Sequence, residues 1–138
     1  MEIEFAYGGI VFNNAGQVLM RSPLGQWGGY VWTFAKGGTD INDRSPEDTA
    51  LREVKEETGY ECKILKAIPG EFKSETCVTK YYLMQPINDQ SEFDKETQEV
   101  KWVTIEEAFE LIKMTKTIIG RERDKNALIT ALNTKKNL

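Results

Sequence analysis

Residues 38–60 read GTDINDRSPEDTALREVKEETGY, and this stretch contains a complete helix together with its start and stop signals. Ser45 is a good N-cap residue, Pro46 suits the first helical position, and Asp48 completes a capping box. Gly59 is a typical helix stop because glycine adopts the left-handed conformation at little steric cost. The stretch therefore predicts a loop, a helix that begins after Ser45, and a turn at Gly59.

The helix carries three glutamates that the periodicity places close together. At about 100° per residue, its buried stripe consists of Ala50, Leu51 and Val54. Glu53 and Glu57 fall about 40° apart at one edge of this stripe, and Glu56 completes an arc of about 100° beside them. Arg52 lies four residues before Glu56, whereas neither Glu53 nor Glu57 has a basic residue three or four positions away. Like charges at this spacing cost a few tenths of a kcal/mol unless something neutralises them.

Two interpretations of these glutamates remain open from the residues themselves. A glutamate-rich helix is usually a solvated helix with salt bridges on its surface. Alternatively, the clustered carboxylates bind a divalent cation, and oxygen ligands without histidine or cysteine suit Mg²⁺ or Mn²⁺ rather than zinc.

The composition of the rest of the chain narrows the choice of chemistry. The 138 residues fit one domain, residues 1–138, and 18 basic against 22 acidic residues give a net charge of −4. This charge argues against binding a nucleic-acid polymer. The chain has no histidine, which excludes Ser-His-Asp and Cys-His catalysis. The two cysteines, Cys62 and Cys77, do not build a disulfide scaffold.

The location of the protein is predicted from what the chain lacks. Met1–Glu4 is acidic without an apolar signal core, and no apolar run approaches the length that spans a membrane. We therefore expect a cytoplasmic protein that does not associate with membranes. A homodimer is compatible with the sequence, which does not decide the oligomeric state.

The flanking segments predict a mixed α and β fold. Strands are expected at 3–12, at 17–21 as its hairpin partner, at 30–34, 61–72, 76–84 and 100–103. Further helices are expected from Thr104 to about Met114 and from Arg121 to about Asn133.

The stretch 38–60 closely resembles the Nudix box, G-x5-E-x7-R-E-U-x-E-E-x-G-U, in which U is aliphatic or aromatic. The matching positions are Gly38, Arg52, Glu53, Val54, Glu56, Glu57, Gly59 and Tyr60. Similarity to family sequences extends to the N-terminal strand, to residues 32–37 and to residues 99–103. The resemblance implies an α-β-α sandwich, with a mixed β-sheet between helices and the box as a loop–helix–loop.

The resemblance also implies a reaction. Nudix proteins are mostly Mg²⁺-dependent hydrolases of a nucleoside diphosphate linked to another moiety, so the expected partner is a small-molecule nucleotide. By position, the metal ligands would be Glu53, Glu56, Glu57 and a backbone carbonyl near Gly37 or Gly38. Arg52 would orient one of these carboxylates. The base would be a box glutamate or an acid from the loop before Trp102, where Glu96 and Glu99 are the candidates.

The substrate-binding candidates are less specific. Residues 32–37 resemble the Trp-x-Phe-Pro-Lys-Gly of dinucleoside polyphosphate and diphosphoinositol hydrolases, with Ala35 in place of proline. Lys36 and Arg21 are candidates for phosphate contacts, with an ordinary surface cation as the alternative. The aromatic candidates for stacking on a base are Tyr7, Trp27, Tyr30 and Trp32, of which one or two are expected to touch ligand, because aromatic residues in strands usually lie in the core.

One box position departs from the family pattern. Arg44 replaces the first glutamate of the box, which is usually peripheral, so activity is expected to survive. Arg44 is also the feature that favours an alternative, a non-catalytic Nudix sensor that binds a nucleotide. The intact Glu53, Glu56 and Glu57 favour the enzyme, and no feature supports a purely structural domain.

Overall fold

The computed structural model describes residues 3–138, in which three strands precede the first α-helix, four strands follow it, and two α-helices come last. The strands are β1 Glu4–Val11, β2 Val18–Pro23, β3 Lys36–Gly37, β4 Cys62–Ala67, β5 Phe72–Lys73, β6 Cys77–Pro86 and β7 Thr97–Val103. The α-helices are α1 Pro46–Thr58, α2 Ile105–Ile112 and α3 Ile118–Lys136. Met1 and Glu2, part of the N-terminal stretch from which location is predicted, lie outside the described residues. No helix within 3–138 is long and apolar enough to cross a membrane.

The strands form a mixed sheet and a separate antiparallel pair. In the mixed sheet the order is β3-β1-β6-β4, with β5 also paired to β6. β1 and β6 are parallel, whereas β3, β4 and β5 are antiparallel to their neighbours. β2 and β7 form the second, antiparallel pair.

Successive apolar side chains of a strand point to opposite faces of the sheet, and a hydrophobic core lies on each face. Ile10 belongs to the cluster that contains the buried residues of α2 and α3, and Val11 belongs to the cluster that contains those of α1. In β2, Met20 and Leu19 divide between the same two clusters. Because successive residues of a strand face opposite sides, helices cover both. The predicted α-β-α sandwich with a mixed sheet is confirmed.

The predicted hairpin between the first two strands is wrong. The turn itself exists, since the Asn13 side chain accepts hydrogen bonds from the backbone amides of Ala15 and Gln17. After one bridge between Phe12 and Val18, however, β2 pairs with β7 instead of β1. The physical reason is that β6 occupies one edge of β1 along its length and β3 occupies the other.

The predicted strand at 30–34 is also wrong. Residues 24–29 form an irregular turn with positive φ at Gly25, Gln26, Gly28 and Gly29. Of residues 30–34, Thr33 alone is bridged, to Arg21. Its aromatic neighbour Phe34 is buried. Burial in the core therefore explains why residue types typical of strands occur here, although the segment does not pair as a strand.

Candidate active site

The box helix begins and ends with the capping contacts that its sequence predicts. The Ser45 hydroxyl accepts a 3.1 Å hydrogen bond from the Asp48 amide. At the other end Gly59 has a φ of 80°, and its amide donates a 2.9 Å hydrogen bond to the Lys55 carbonyl. These caps fix the helix that carries the three glutamates.

Arg52 joins this helix to the loop that precedes it. Its Nε donates to Asp43 Oδ1 at 3.0 Å, and its Nη2 donates to Asp43 Oδ2 at 2.9 Å and to the Gly38 carbonyl at 2.8 Å. Its Nη1 donates to Glu56 Oε1 at 3.0 Å. The carboxylate that Arg52 orients is therefore chiefly that of Glu56. The box pattern gave no signal for Asp43 as a partner of Arg52, because it lies at a variable loop position.

The Asp43 carboxylate holds the loop through several hydrogen bonds. The Arg52 side chain, followed by the Asp40 amide, keeps the pKa of Asp43 well below its usual range. Since the folded state binds the proton less tightly than the unfolded chain does, this group stabilises the fold above the ordinary aspartate pKa of about 3.9. That stabilisation is lost as the pH falls below this value.

We predict that Asp43→Asn lowers the unfolding temperature by a few degrees near neutral pH, because it replaces a charged pair with a neutral hydrogen bond. The difference from the wild type should shrink as the medium is acidified, which thermal unfolding at several pH values measures. Asp89→Asn, in an exposed loop, is the matched control and should leave the unfolding temperature unchanged. A constant difference at all pH values would contradict this interpretation.

Glu57 lies at the inner side of the helix among cationic groups. Its Oε1 is 3.4 Å from Arg21 Nε and accepts a 3.2 Å hydrogen bond from the Lys36 amide. The Glu57 side chain is only 9% exposed. Burial raises the pKa of Glu57 to about 7, although Arg21 and the Lys36 amide act in the opposite direction. The carboxylate is thus held in place but poorly solvated.

Glu53 lies one turn earlier on the same face. Its carboxylate contacts Gly37 so closely that a Cβ at that position would displace the carboxylate from its present place. Its Oε1 is 3.8 Å from Arg52 Nη1. Burial, followed by the neighbouring Glu57 carboxylate, raises the pKa of Glu53 to about 8. Burial and mutual repulsion disfavour the charged forms of these two acids, and a bound divalent cation would relieve that repulsion.

The third glutamate is more exposed than the other two. Glu56 is 47% exposed and is paired with Arg52. Within residues 3–138, no three acidic, cysteine or histidine side chains are grouped closely enough to hold a metal ion. Glu53 and Glu57 are the buried members of the predicted group, and the Glu56 carboxylate, which also raises the pKa of Glu53, is its exposed member. The donor set still fits a hard cation, since Glu53 and Glu57 are adjacent buried carboxylates beside the backbone of the 36–38 segment.

The two inner glutamates open onto a cleft with a volume of about 670 Å³. Its lining comprises Arg21, Pro23, Leu24, Trp27, Tyr30, Thr33, Phe34, Lys36, Gly37, Glu53, Glu57, Lys95, Glu96 and Arg123. The structure thus brings together seven of the candidate side chains named from the sequence, namely Arg21, Trp27, Tyr30, Lys36, Glu53, Glu57 and Glu96. Two aromatic residues of the lining differ in exposure. Trp27 is 78% exposed, whereas Tyr30 is partly buried, and this burial raises the pKa of its hydroxyl.

The other predicted site residues lie outside the cleft lining. Trp32 is 7% exposed and belongs to the core, where Lys101 lies 4.5 Å from the centre of its ring. Tyr7 packs against the core cluster on the α1 side. Glu99 is exposed on β7, opposite Ser22. Trp32 and Tyr7 are thus used in packing, and Glu99 does not line the cleft, so the cleft gives no support to the stacking and base roles predicted for these three residues.

The polar loop before β7 is attached to the end of the box helix. The Ser91 amide donates to the Gly59 carbonyl at 2.8 Å, and the Asp94 amide donates to the Glu56 carbonyl at 2.7 Å. The Gln90 side chain donates to the Thr58 carbonyl at 2.9 Å. These contacts satisfy carbonyl groups that a helix end leaves without partners, and they position Glu96 at the cleft.

Three kinds of comparison bear on this fold and site. The family description of the NUDIX domain matches residues 4–121. No curated protein matches the chain at a significant level. Among solved structures, a C. elegans Ap4A hydrolase in a binary complex is similar with a TM-score of 0.73 and 20% identity, covering 99% of this chain and 100% of the other.

Two further solved structures show the same fold at low identity. An ADP-ribose pyrophosphatase from Streptococcus suis 89-1591 has a TM-score of 0.71 and 14% identity, covering 96% of this chain and 92% of that one. The NUDIX domain of Shewanella oneidensis NrtR, complexed with ADP ribose, has a TM-score of 0.75 and 15% identity, covering 98% and 90%. Because the matched domain spans most of the chain and includes the whole glutamate helix, this protein belongs to the Nudix hydrolase family.

Proposed function

We propose that this protein is a Mg²⁺-dependent hydrolase of a phosphoanhydride bond in a nucleoside diphosphate that is linked to another moiety. The observation that carries the proposal is the composition of the cleft, in which the buried Glu53 and Glu57 lie beside Lys36 and Arg21. Acidic groups for a cation and basic groups for phosphates thus share one wall. Mn²⁺ suits the same oxygen ligands.

Each of these residues has a distinct role in the proposal. Glu53 and Glu57 would hold the cation, and Glu56 and the Gly38 carbonyl are the further ligands that the box resemblance implies. A bound divalent cation neutralises diphosphate charge and lowers the pKa of the attacking water. Arg52 holds Glu56 and the Gly38 carbonyl in fixed positions relative to each other through its hydrogen bonds.

The basic residues bind the phosphates. Burial lowers the pKa of Lys36, whose side chain reaches the cleft beside Gly37. Arg21 is fixed by a 2.8 Å hydrogen bond from its Nε to Thr97 and by its Nη2 contact with the Glu96 carbonyl. A guanidinium held in this way is pre-organised for a phosphate oxygen.

Proton removal from the water is assigned to an acid of the cleft. Glu53 and Glu57 are candidates for this role because both are carboxylates of the cleft lining. Glu96 is the remaining acid of the cleft lining and is the loop candidate. Of the four aromatic candidates, Trp27 and Tyr30 line the cleft and are the ones assigned to contact the substrate.

Turnover of defined substrates tests the proposal. The protein is incubated with Mg²⁺ and a panel of nucleoside triphosphates, nucleotide sugars, ADP-ribose and dinucleoside polyphosphates, and the products are identified by mass. We expect at least one member to be cleaved at a phosphoanhydride bond, and we expect the activity to vanish with a chelator and return with Mg²⁺. Cleavage that persists in excess chelator would overturn the metal assignment.

The alternative function is a nucleotide sensor without catalysis, which Arg44 at the first box position favours. Arg44 is exposed, and its described hydrogen bond is made by its backbone amide, which donates to Asp48 at 3.1 Å. Arg44 is not among the residues that line the cleft. This position supports the peripheral interpretation, under which the replacement leaves the catalytic residues intact. Binding of a panel member without turnover would support the sensor.

We predict that Arg44→Glu changes kcat and the Mg²⁺ requirement by less than about twofold, since surface substitutions away from a site have small effects. The measurement is the rate as a function of Mg²⁺ concentration for both proteins. A clear gain in activity, or half-saturation at much lower Mg²⁺, would mean instead that Arg44 displaces a second cation.

A further inference from the structure

The end of the cleft that faces α3 contains a buried guanidinium that the proposed reaction does not use. Arg123 lines the cleft, and its side chain is 1% exposed. Its Nε is 3.0 Å from Asp124 Oδ1, and Asp124 is completely buried. The pair is therefore electrically neutral overall.

Its neighbours fix the orientation of this guanidinium. Arg123 Nη2 donates to Thr33 Oγ1 at 3.3 Å, and the Thr33 hydroxyl donates to Asp124 Oδ2 at 2.7 Å. The guanidinium carbon lies 4.4 Å from the centre of the Tyr30 ring. Hydrogen bonds on one edge and an aromatic ring on one face leave the group little freedom to rotate.

The outer edge of the guanidinium still has donors to offer. An arginine has five N–H groups, and the bonds to Asp124 and Thr33 use one on Nε and one on Nη2. The donors that remain include a parallel pair on Nη1 and Nη2. Arg123 is not among the described side chains with a fully buried polar atom that lacks a partner, so its free edge keeps a small exposed area at the cleft that it lines.

A neutral pair with a free donor fork suits a neutral acceptor better than a phosphate. The nearby walls are aromatic, from Trp27, Tyr30 and Phe34, and suit a planar ring. A guanidinium fork matches the O6 and N7 acceptors of guanine or hypoxanthine, whereas adenine presents an amino group in place of O6. We propose that Arg123 recognises the base of the substrate and that the substrate is a 6-oxopurine nucleotide, an inference that rests on the hydrolase function proposed for the phosphate end.

Matched nucleotides test this inference directly. IDP and ADP differ in the group at the six position of the purine and in the proton that hypoxanthine carries on N1, and ITP and ATP differ in the same way. We expect IDP to bind about 10- to 100-fold more tightly than ADP in calorimetric titrations with Mg²⁺, and kcat/KM to favour ITP over ATP by a similar factor. Removing the N7 acceptor, with 7-deaza-GTP in place of GTP, should lower kcat/KM further.

The variant Arg123→Lys keeps the charge beside Asp124 but removes the fork. It should lose the preference for IDP while binding ADP nearly as the wild type does. Arg121→Lys, on the same helix but outside the cleft lining, is the matched control and should keep the preference. If Arg123→Lys does not fold, the comparison of nucleotides on the wild type still decides whether a 6-oxopurine is selected.

The outcomes separate this inference from the proposed function. Equal affinity for IDP and ADP would overturn the base assignment, and turnover of ATP in the same protein would leave the hydrolase standing. A preference for IDP without turnover would support the base assignment and overturn the hydrolase. Binding of neither nucleotide, or a preference that survives in Arg123→Lys, would overturn the role of Arg123.

Discussion

Glu57→Gln should lower kcat by at least about 100-fold, in the range expected when a residue that handles a proton or holds the reactive water is removed. Glutamine preserves the shape of the side chain, and its carbonyl oxygen can still accept the hydrogen bond from the Lys36 amide. What it removes is the charge beside Glu53 and Arg21. The measurement is the rate on whichever member of the nucleotide panel the wild type cleaves best.

The same variant should not lose stability in the absence of metal. Because burial raises the pKa of Glu57 to about 7, the fold disfavours its charged form, and a neutral side chain escapes that penalty. In chelator the unfolding temperature should therefore equal or exceed that of the wild type. Adding Mg²⁺ should raise the unfolding temperature of the wild type by mass action and leave that of the variant nearly unchanged.

Glu47→Gln is the matched control on the same helix. Glu47 is exposed, and its carboxylate accepts a 3.2 Å hydrogen bond from the Tyr82 hydroxyl, away from the cleft lining. This variant should retain both the activity and the stabilisation by Mg²⁺. Wild-type activity in Glu57→Gln would contradict the catalytic assignment, and an undiminished response to Mg²⁺ would contradict its role as a ligand.

The elements that the sequence predicts best are those with local signals. The box helix has a cap at Ser45, a proline at its first position and a glycine at its end, and each acts within a few residues. The strand pairing is not local. Whether β2 pairs with β1 or β7 depends on which edge of β1 is free, and β6, which occupies one of them, lies about 70 residues later in the chain.

The residues of the site that were predictable from the sequence are likewise those whose position depends on neighbours close in the chain. Glu53 and Glu57 were predictable from helical periodicity, because one face of a helix is defined by spacing alone. Asp43, Thr33 and Arg123 were not, since each acquires its role from a partner that the fold brings near. The packing of Tyr7 and Trp32 against the core was not predictable either, because the sequence does not distinguish an aromatic residue of the core from one of a cleft.

Gly59→Ala should destabilise the protein by about 3 kcal/mol, the other large effect that we expect. Gly59 has a φ of 80°, which costs an alanine about 1–2 kcal/mol. A Cβ there would also overlap the carbonyl oxygen of Ser91, a backbone atom that cannot rotate away. The hydrogen bond from the Ser91 amide to the Gly59 carbonyl would then break.

Gly16→Ala separates the two contributions. Gly16 has a similar φ of 77°, but a Cβ added there would have no neighbouring atom within 4 Å, so its substitution adds backbone strain without an overlap. It should cost about 1 kcal/mol in chemical denaturation, and the excess in Gly59→Ala measures the contact with the loop. Because that loop carries Glu96 to the cleft, Gly59→Ala should also expose residues 88–96 to proteolysis and lower activity. Equal costs for the two variants would mean that the loop is held by other contacts, such as the bond from the Asp94 amide to Glu56.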